Sequence, residues 1–210
     1  MDLNEWENLM TEAKENPATE TLGVLHNANH VAYRCRDAEQ TRWFYEDVLG
    51  LPLAIALVLD EIPGLNDPTP YLHLFFEMGN GDFIAFFDEP EGATAEQFER
   101  DHSFNRHLAF EVDGEDKLLA WQKQINERGV SCLGPVDHGF VKSVYMYDPN
   151  GLQVEITTRT ADYDSIIAHE NKHATENIEI WARRSREAKE AKFGAAAIDM
   201  RSRQVGRKKA

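Results

Sequence analysis

Two histidines and one glutamate are the residues whose types and spacing could do chemistry together in this chain of 210 residues. His30 opens the stretch His30-Val-Ala-Tyr-Arg-Cys, His107 opens His107-Leu-Ala-Phe-Glu-Val, and Glu155 sits inside Leu152-Gln-Val-Glu-Ile-Thr. Each stretch alternates as a strand does, so Val31, Tyr33 and Cys35, then Leu108, Phe110 and Val112, then Leu152, Val154 and Ile156 fall on apolar faces. His30, His107 and Glu155 fall on the opposite faces. Taken singly, each has an ordinary reading as a strand histidine or a solvent-facing glutamate. Taken together, two imidazoles and a carboxylate with open positions make a facial set suited to Fe(II) and oxygen chemistry, with Mn(II) or Zn(II) also compatible with the ligand types.

The elements that must position these residues occur twice. After the His30 strand, Asp37 is a plausible N-cap for a helix through Trp43, Phe44, Val48 and Leu49 that Gly50 stops. Leu53 to Leu59 reads as a strand, and the loop from Asp60 to Pro70 breaks structure with Pro63, Gly64, Pro68 and Pro70. Two further strands, Tyr71 to Met78 and Phe83 to Phe87, are joined by the Gly79-Asn80-Gly81-Asp82 turn. The order then repeats: the His107 strand, a helix from about Gly114 to Arg128 carrying Leu118, Trp121 and Ile125, and a hairpin at Asp148-Pro149-Asn150-Gly151. Within the repeat, Glu155 corresponds to Ala85, so the second unit has a carboxylate where the first has a methyl group. The expected fold is α+β, with two paired βαβββ modules forming a cupped mixed sheet around a metal site. The modules cover about residues 22–90 and 104–160, with helical extensions over 1–21, where residues 2–15 have helical spacing, and over 161–210.

Charge and composition bound the partners. The net charge is -15, but Trp181 to Ala210 holds ten Lys or Arg against three Asp or Glu, a local +7 that leaves -22 on residues 1–180. Such a body repels nucleic acid and anionic membrane, and the basic tail is expected to fold onto it or onto a neighbouring subunit, most simply in a homodimer. No apolar run approaches the roughly 18 residues needed to span a bilayer. The acidic N-terminus lacks a signal-peptide pattern, and Cys35 and Cys132 show no CxxC or disulfide-rich spacing, so a cytoplasmic location is expected.

Three stretches, NHVAYRCRDAEQTRWFYEDVLGLPL, HLAFEV and YMYDPNGLQVEIT, resemble the vicinal oxygen chelate superfamily, which includes glyoxalase I, methylmalonyl-CoA epimerase, fosfomycin and bleomycin resistance proteins, and type I extradiol dioxygenases. The resemblance covers about Leu22 to Thr158. It implies that His30, His107 and Glu155 are the metal ligands, and Ala85, where glyoxalase I and the epimerase typically have a fourth ligand, cannot coordinate. Three ligands favour the extradiol pattern, in which Tyr145 corresponds to a tyrosine kept beside the metal. The extradiol acid-base histidine corresponds to Asp82, and a second family histidine to Val136, with His138 two residues away. The expectation is therefore a non-haem Fe(II) dioxygenase cleaving a small catecholic or related aromatic, with dioxygen as co-substrate. In it Tyr145 orients bound oxygens, and His138, Asp82 or His73 handles protons, Asp82 and His73 also lying where substrate would bind. The alternatives are a lyase or isomerase of the same superfamily, or a metal-free binding protein of the resistance kind.

Overall fold

The computed structural model describes residues 22–65 and 67–200. The helix expected over residues 2–15 and the last ten residues of the basic tail lie outside that range. Module 1 consists of β1 (His30–Cys35), α1 (Ala38–Arg42), β2 (Leu53–Leu59), β3 (Tyr71–Glu77) and β4 (Phe83–Asp88). Module 2 consists of β5 (His107–Glu111), α2 (Glu115–Glu127), β6 (Leu133–Asp137), β7 (Val141–Tyr147) and β8 (Gln153–Arg159). The sheets have strand orders β1-β4-β3-β2 and β5-β8-β7-β6. In each, the first strand pairs parallel with the last and the other pairs are antiparallel. Two βαβββ modules in an α+β fold are thus present as expected. Beyond them, α3 (Tyr163–Phe193) and the short α4 (Ala195–Asp199) form the C-terminal extension.

Local chemistry accounts for the boundaries. The Asp37 carboxylate accepts the Gln40 backbone N–H at 2.8 Å and so caps α1. The helix expected to continue to Leu49 instead widens into a π-helical turn over Trp43–Val48, which seats Phe44, Tyr45 and Val48 together in the core. α2 buries Leu118 and Ile125 against Val144, Met146, Val154 and Ile156, the apolar alternates of β7 and β8. The opposite sheet face of module 2 is thereby left for His107, Tyr145 and Glu155.

The two modules are latched through the Asp148–Gly151 hairpin. Tyr45 is fully buried, with Phe86 and Phe76 at ring-centroid distances of 4.7 and 5.5 Å, and its hydroxyl donates to Asp148 Oδ2 at 3.1 Å. Asp148 Oδ1 also accepts the backbone N–H groups of Asn150 and Leu152 at 2.8 and 2.9 Å. Asn150 Oδ1 in turn accepts the Arg36 N–H at 2.8 Å. Burial pushes the Asp148 carboxyl above its usual range and the Tyr45 phenol well above its own. Asp148→Ala removes the acceptor of four hydrogen bonds, those from the Tyr45 hydroxyl, the Asn150 and Leu152 N–H groups and Asn150 Nδ2, at about 1–3 kcal/mol for each buried group left unpaired. The expected result is a loss of about 3 kcal/mol or more in urea unfolding with an unchanged denaturant slope. A loss below about 0.5 kcal/mol, the usual range of a surface substitution, would show that the latch is not holding the modules together.

Candidate functional site

The site of module 2 is built on one rung of its sheet. Glu155 on β8 stands opposite Ala109 on β5 and Tyr145 on β7, so a small residue on one side leaves room while an aromatic on the other reaches over the carboxylate. Glu155 is 8% exposed. Its Oε1 accepts the Tyr145 hydroxyl at 3.3 Å, and its Oε2 lies 3.7 Å from His107 Nε2. The Tyr145 oxygen is also 2.7 Å from His138 Nε2, in the β6–β7 turn. His138, Tyr145 and Glu155 therefore form one hydrogen-bonded line that ends beside His107. Burial, with the Glu155 charge as a further contributor, raises the Tyr145 phenol above its usual range and keeps it protonated.

His107 is aimed by a backbone carbonyl. Its Nδ1 lies 2.9 Å from Ser103 O, and because a carbonyl can only accept, Nδ1 carries the ring proton. In the neutral ring, Nε2 is then an acceptor facing the Glu155 carboxylate. Two acceptors held toward each other, with a backbone carbonyl fixing the tautomer, suit a shared divalent cation. The loop supplying Ser103 rests on the latch hairpin: Asp101 N–H donates to Gly151 O at 3.1 Å and the Tyr147 hydroxyl to Asp101 O at 3.2 Å. Gly151 has φ +76°, and a Cβ there would overlap the Glu99 carbonyl. The glycine is needed both for the left-handed turn and for this close approach.

These side chains open into a cleft of about 660 Å³, whose lining also includes Phe104, Phe140, Val141, Gln153 and Thr157 and no Lys or Arg. Phe104 stands 93% exposed. The side-chain oxygen of Gln153 is buried without a hydrogen-bond partner among the described residues. Gln153 could have been read from the sequence, two positions before Glu155 on the same face. Ser103 could not, since its contribution is a main-chain carbonyl.

Module 1 repeats the rung without the chemistry. Ala85 pairs with Ala32 and Phe75 where Glu155 pairs with Ala109 and Tyr145, so a methyl group and a phenyl ring stand in for the carboxylate and phenol. His30 is exposed, with Nδ1 2.8 Å from Asn29 Oδ1 and its ring edge-on to Phe75. His73 stacks on Phe87 at 3.8 Å with its Nε2 buried and unpaired among the described residues. Burial, then the neighbouring His30, lowers its pKa. Asp82 is buried in its own turn, accepting from Asn27 and Asn80. Of the residues singled out in the sequence, the structure brings together His107, Glu155, Tyr145 and His138. It leaves His30 and His73 on the other sheet and Asp82 in a turn. Among the described residues no three His, Cys, Asp or Glu side chains converge on a point that could hold a metal.

Two paired βαβββ modules with a cleft on one sheet face define the class of fold. Residues 27–156 match the family profile described as the Glyoxalase/Bleomycin resistance protein/Dioxygenase superfamily, and the chain belongs to that superfamily. It is 28% identical over 138 residues to the metallothiol transferase FosB of Staphylococcus epidermidis, covering 65% of this chain and 84% of that protein. A stretch of 52 residues is 36% identical to the Bacillus subtilis protein named "Putative ring-cleaving dioxygenase MhqA", covering 25% of this chain and only 16% of that protein. Among solved structures, a glyoxalase/dioxygenase from Nostoc punctiforme aligns with a TM-score of 0.50 and 28% identity, covering 66% of this chain and 94% of that one. Among the described residues no helix is long and apolar enough to cross a membrane.

Proposed function

We propose that the protein is a metal-dependent dioxygenase of extradiol type acting on a small catecholic or related aromatic, with each metal site completed by a second copy of the chain. The observation that carries the reading is the His138–Tyr145–Glu155 line beside His107, in a cleft whose lining among the described residues contains no Lys or Arg. A strongly anionic substrate would find no cationic side chain in that lining, whereas a neutral phenol would find acceptors and aromatic walls.

His107 and Glu155 fit a divalent metal by donor type and by the tautomer that Ser103 imposes. His30 presents the same arrangement, its Nδ1 turned to Asn29 Oδ1 and its Nε2 left as the ligand atom. It stands on β1, an edge strand like β5, and unpaired edges are ready to meet another chain. A second copy offering His30 to the first copy's His107 and Glu155 would give the three-ligand set. Fe(II) held there would supply Lewis acidity and a path for electrons from the catechol to dioxygen, the catechol being the species oxidised and both oxygen atoms entering the ring-opened product. Tyr145 holds a hydroxyl over the carboxylate and orients a substrate oxygen. His138, at the outer end of the line, takes a proton at an unprotonated Nε2 when the Tyr145 hydroxyl turns its own proton from Glu155 to the imidazole and receives the substrate's phenolic proton in its place, as an imidazole is suited to do near neutral pH. Phe104 and Phe140 flank the ring and limit water on their side of the cleft.

The test is iron loading under anaerobic conditions followed by oxygen-electrode traces across a panel of catechols. Uptake with ring-opened product is the expected result, and no uptake across the panel by iron-loaded protein would overturn the dioxygenase reading. A second reading, thiol transfer, is favoured by the length over which FosB aligns. It predicts consumption of a small thiol in equal measure with an electrophilic co-substrate whose carbon the thiolate attacks and whose displaced oxygen takes up the proton, without oxygen uptake.

A further inference from the structure

α3 is 31 residues long and buries none of them, a rod of about 46 Å at the rise of an α-helix. Helices in proteins take most of their stability from packing an apolar face, and α3 has such a face that no described residue buries. Ile167, Ala174, Ile178, Trp181 and Ala188 follow one another at intervals of 7, 4, 3 and 7, the spacing of a heptad seam. All are exposed, Ile178 by 71% and Trp181 by 56%. Ile178 and Trp181 lie at the middle of the helix. α4 folds back on the far end, where Arg186 makes a two-pronged pair with Asp199 at 2.7 and 3.0 Å.

The charge along α3 is divided at the same midpoint. Tyr163 to Glu179 carries Asp164, Glu170, Glu176 and Glu179 against Lys172, a net -3. Ile180 to Phe193 carries Arg183, Arg184, Arg186, Lys189 and Lys192 against Glu187 and Glu190, a net +3. A parallel pair of such helices would set like charge against like. An antiparallel pair sets each acidic half against a basic half, with the seam shared.

We propose that α3 is a dimerisation helix, pairing antiparallel with α3 of a second copy of this chain so that Ile178 and Trp181 meet at the twofold axis. A twofold contact uses the same patch on both chains, and an axis between Ile178 and Trp181 sets each of them against the other's counterpart in the second copy. The pairing is independent of whether the cleft binds metal.

The intact protein is spin-labelled at single sites and the label-to-label distance measured by pulsed electron resonance. A label at Glu179→Cys should lie within about 20 Å of its counterpart, while one at Ser165→Cys, 14 residues from the helix centre, should lie about 42 Å from its own. Short distances at both sites indicate a parallel pair and overturn the proposal, as does the absence of any short distance at residue 179. In sedimentation, Ile178→Asp with Trp181→Asp should weaken self-association at least a hundredfold. Should that variant fold poorly, charge supplies the second arm: Arg183→Glu with Lys189→Glu should weaken association about tenfold, and adding Glu170→Lys and Glu176→Lys should restore it. A monomeric wild type, or a dimer indifferent to both sets, overturns the proposal.

Discussion

Glu155→Ala is expected to lower divalent-metal affinity by more than the roughly hundredfold seen when only an outer-shell partner of a ligand is lost. His107→Ala and His30→Ala should do the same. The carboxylate is the one anionic donor of the proposed set, and in its absence His107 Nε2 faces an alanine methyl. The fold should survive, because Tyr145 keeps His138 as a partner at 2.7 Å and β8 keeps its ladder to β5 and β7. Metal analysis on each folded variant checks this, and full occupancy in all three would remove the site. Mixing gives a sharper result. If each site takes His30 from one chain and His107 with Glu155 from the other, co-refolding the His30→Ala chain with the Glu155→Ala chain rebuilds one intact site in every mixed dimer. Statistical pairing about the twofold then returns roughly one quarter of wild-type metal. Three ligands from one chain would return none.

The architecture was legible in the sequence because the repeat preserves both residue type and register. The sequence paired Ala85 with Glu155, and the structure places them on equivalent rungs, opposite Phe75 and Tyr145. Asp37 caps as expected, and the Asp148–Gly151 turn forms. Less visible was what depends on distance or on the main chain. β6 includes Gly134 and Pro135, which erase the alternation, and its pairing with β7 is irregular at that point. The wide turn at Trp43–Val48 is set by core packing rather than by a local signal. Tyr45 and Asp148, 103 positions apart, carry no shared pattern that would announce a latch. The candidate site divided in the same way. His107, Glu155, Tyr145 and His138 could be placed from alternation and from the family resemblance, while the Ser103 carbonyl that selects the His107 tautomer has no side-chain signature. The repeat made His30 equivalent to His107, yet equivalence about a pseudo-twofold axis does not say whether the two meet within one chain or across two. His73 lies on the module 1 sheet and Asp82 in a turn, so the proposed reaction assigns proton handling to His138.

Tyr145→Phe should separate chemistry from packing at this site. The substitution removes one hydroxyl and leaves the ring, so the β7–β8 rung and the core behind it are unchanged, and metal content should stay at the wild-type level. His138 and Glu155 lose the atom that joins them, and with it the group proposed to orient the substrate oxygen and pass its proton outward. Deleting one positioned donor at a developing charge costs about 2.7–4 kcal/mol, or roughly a hundred to a thousandfold in turnover. The loss should appear in kcat and in kcat/KM together, since the bond matters most in the transition state. His138→Gln should show a smaller loss of the same kind, because the phenol remains in place and only the outer proton acceptor has gone. A tyrosine that merely packs would instead show wild-type turnover with lowered stability, and one that ligates the metal would show lost metal content. Oxygen-electrode rates, metal analysis and urea unfolding on the same preparations distinguish these outcomes. Unchanged oxygen uptake by the metal-loaded Phe variant would remove Tyr145 from the reaction, leaving the His138–Glu155 line without its central member.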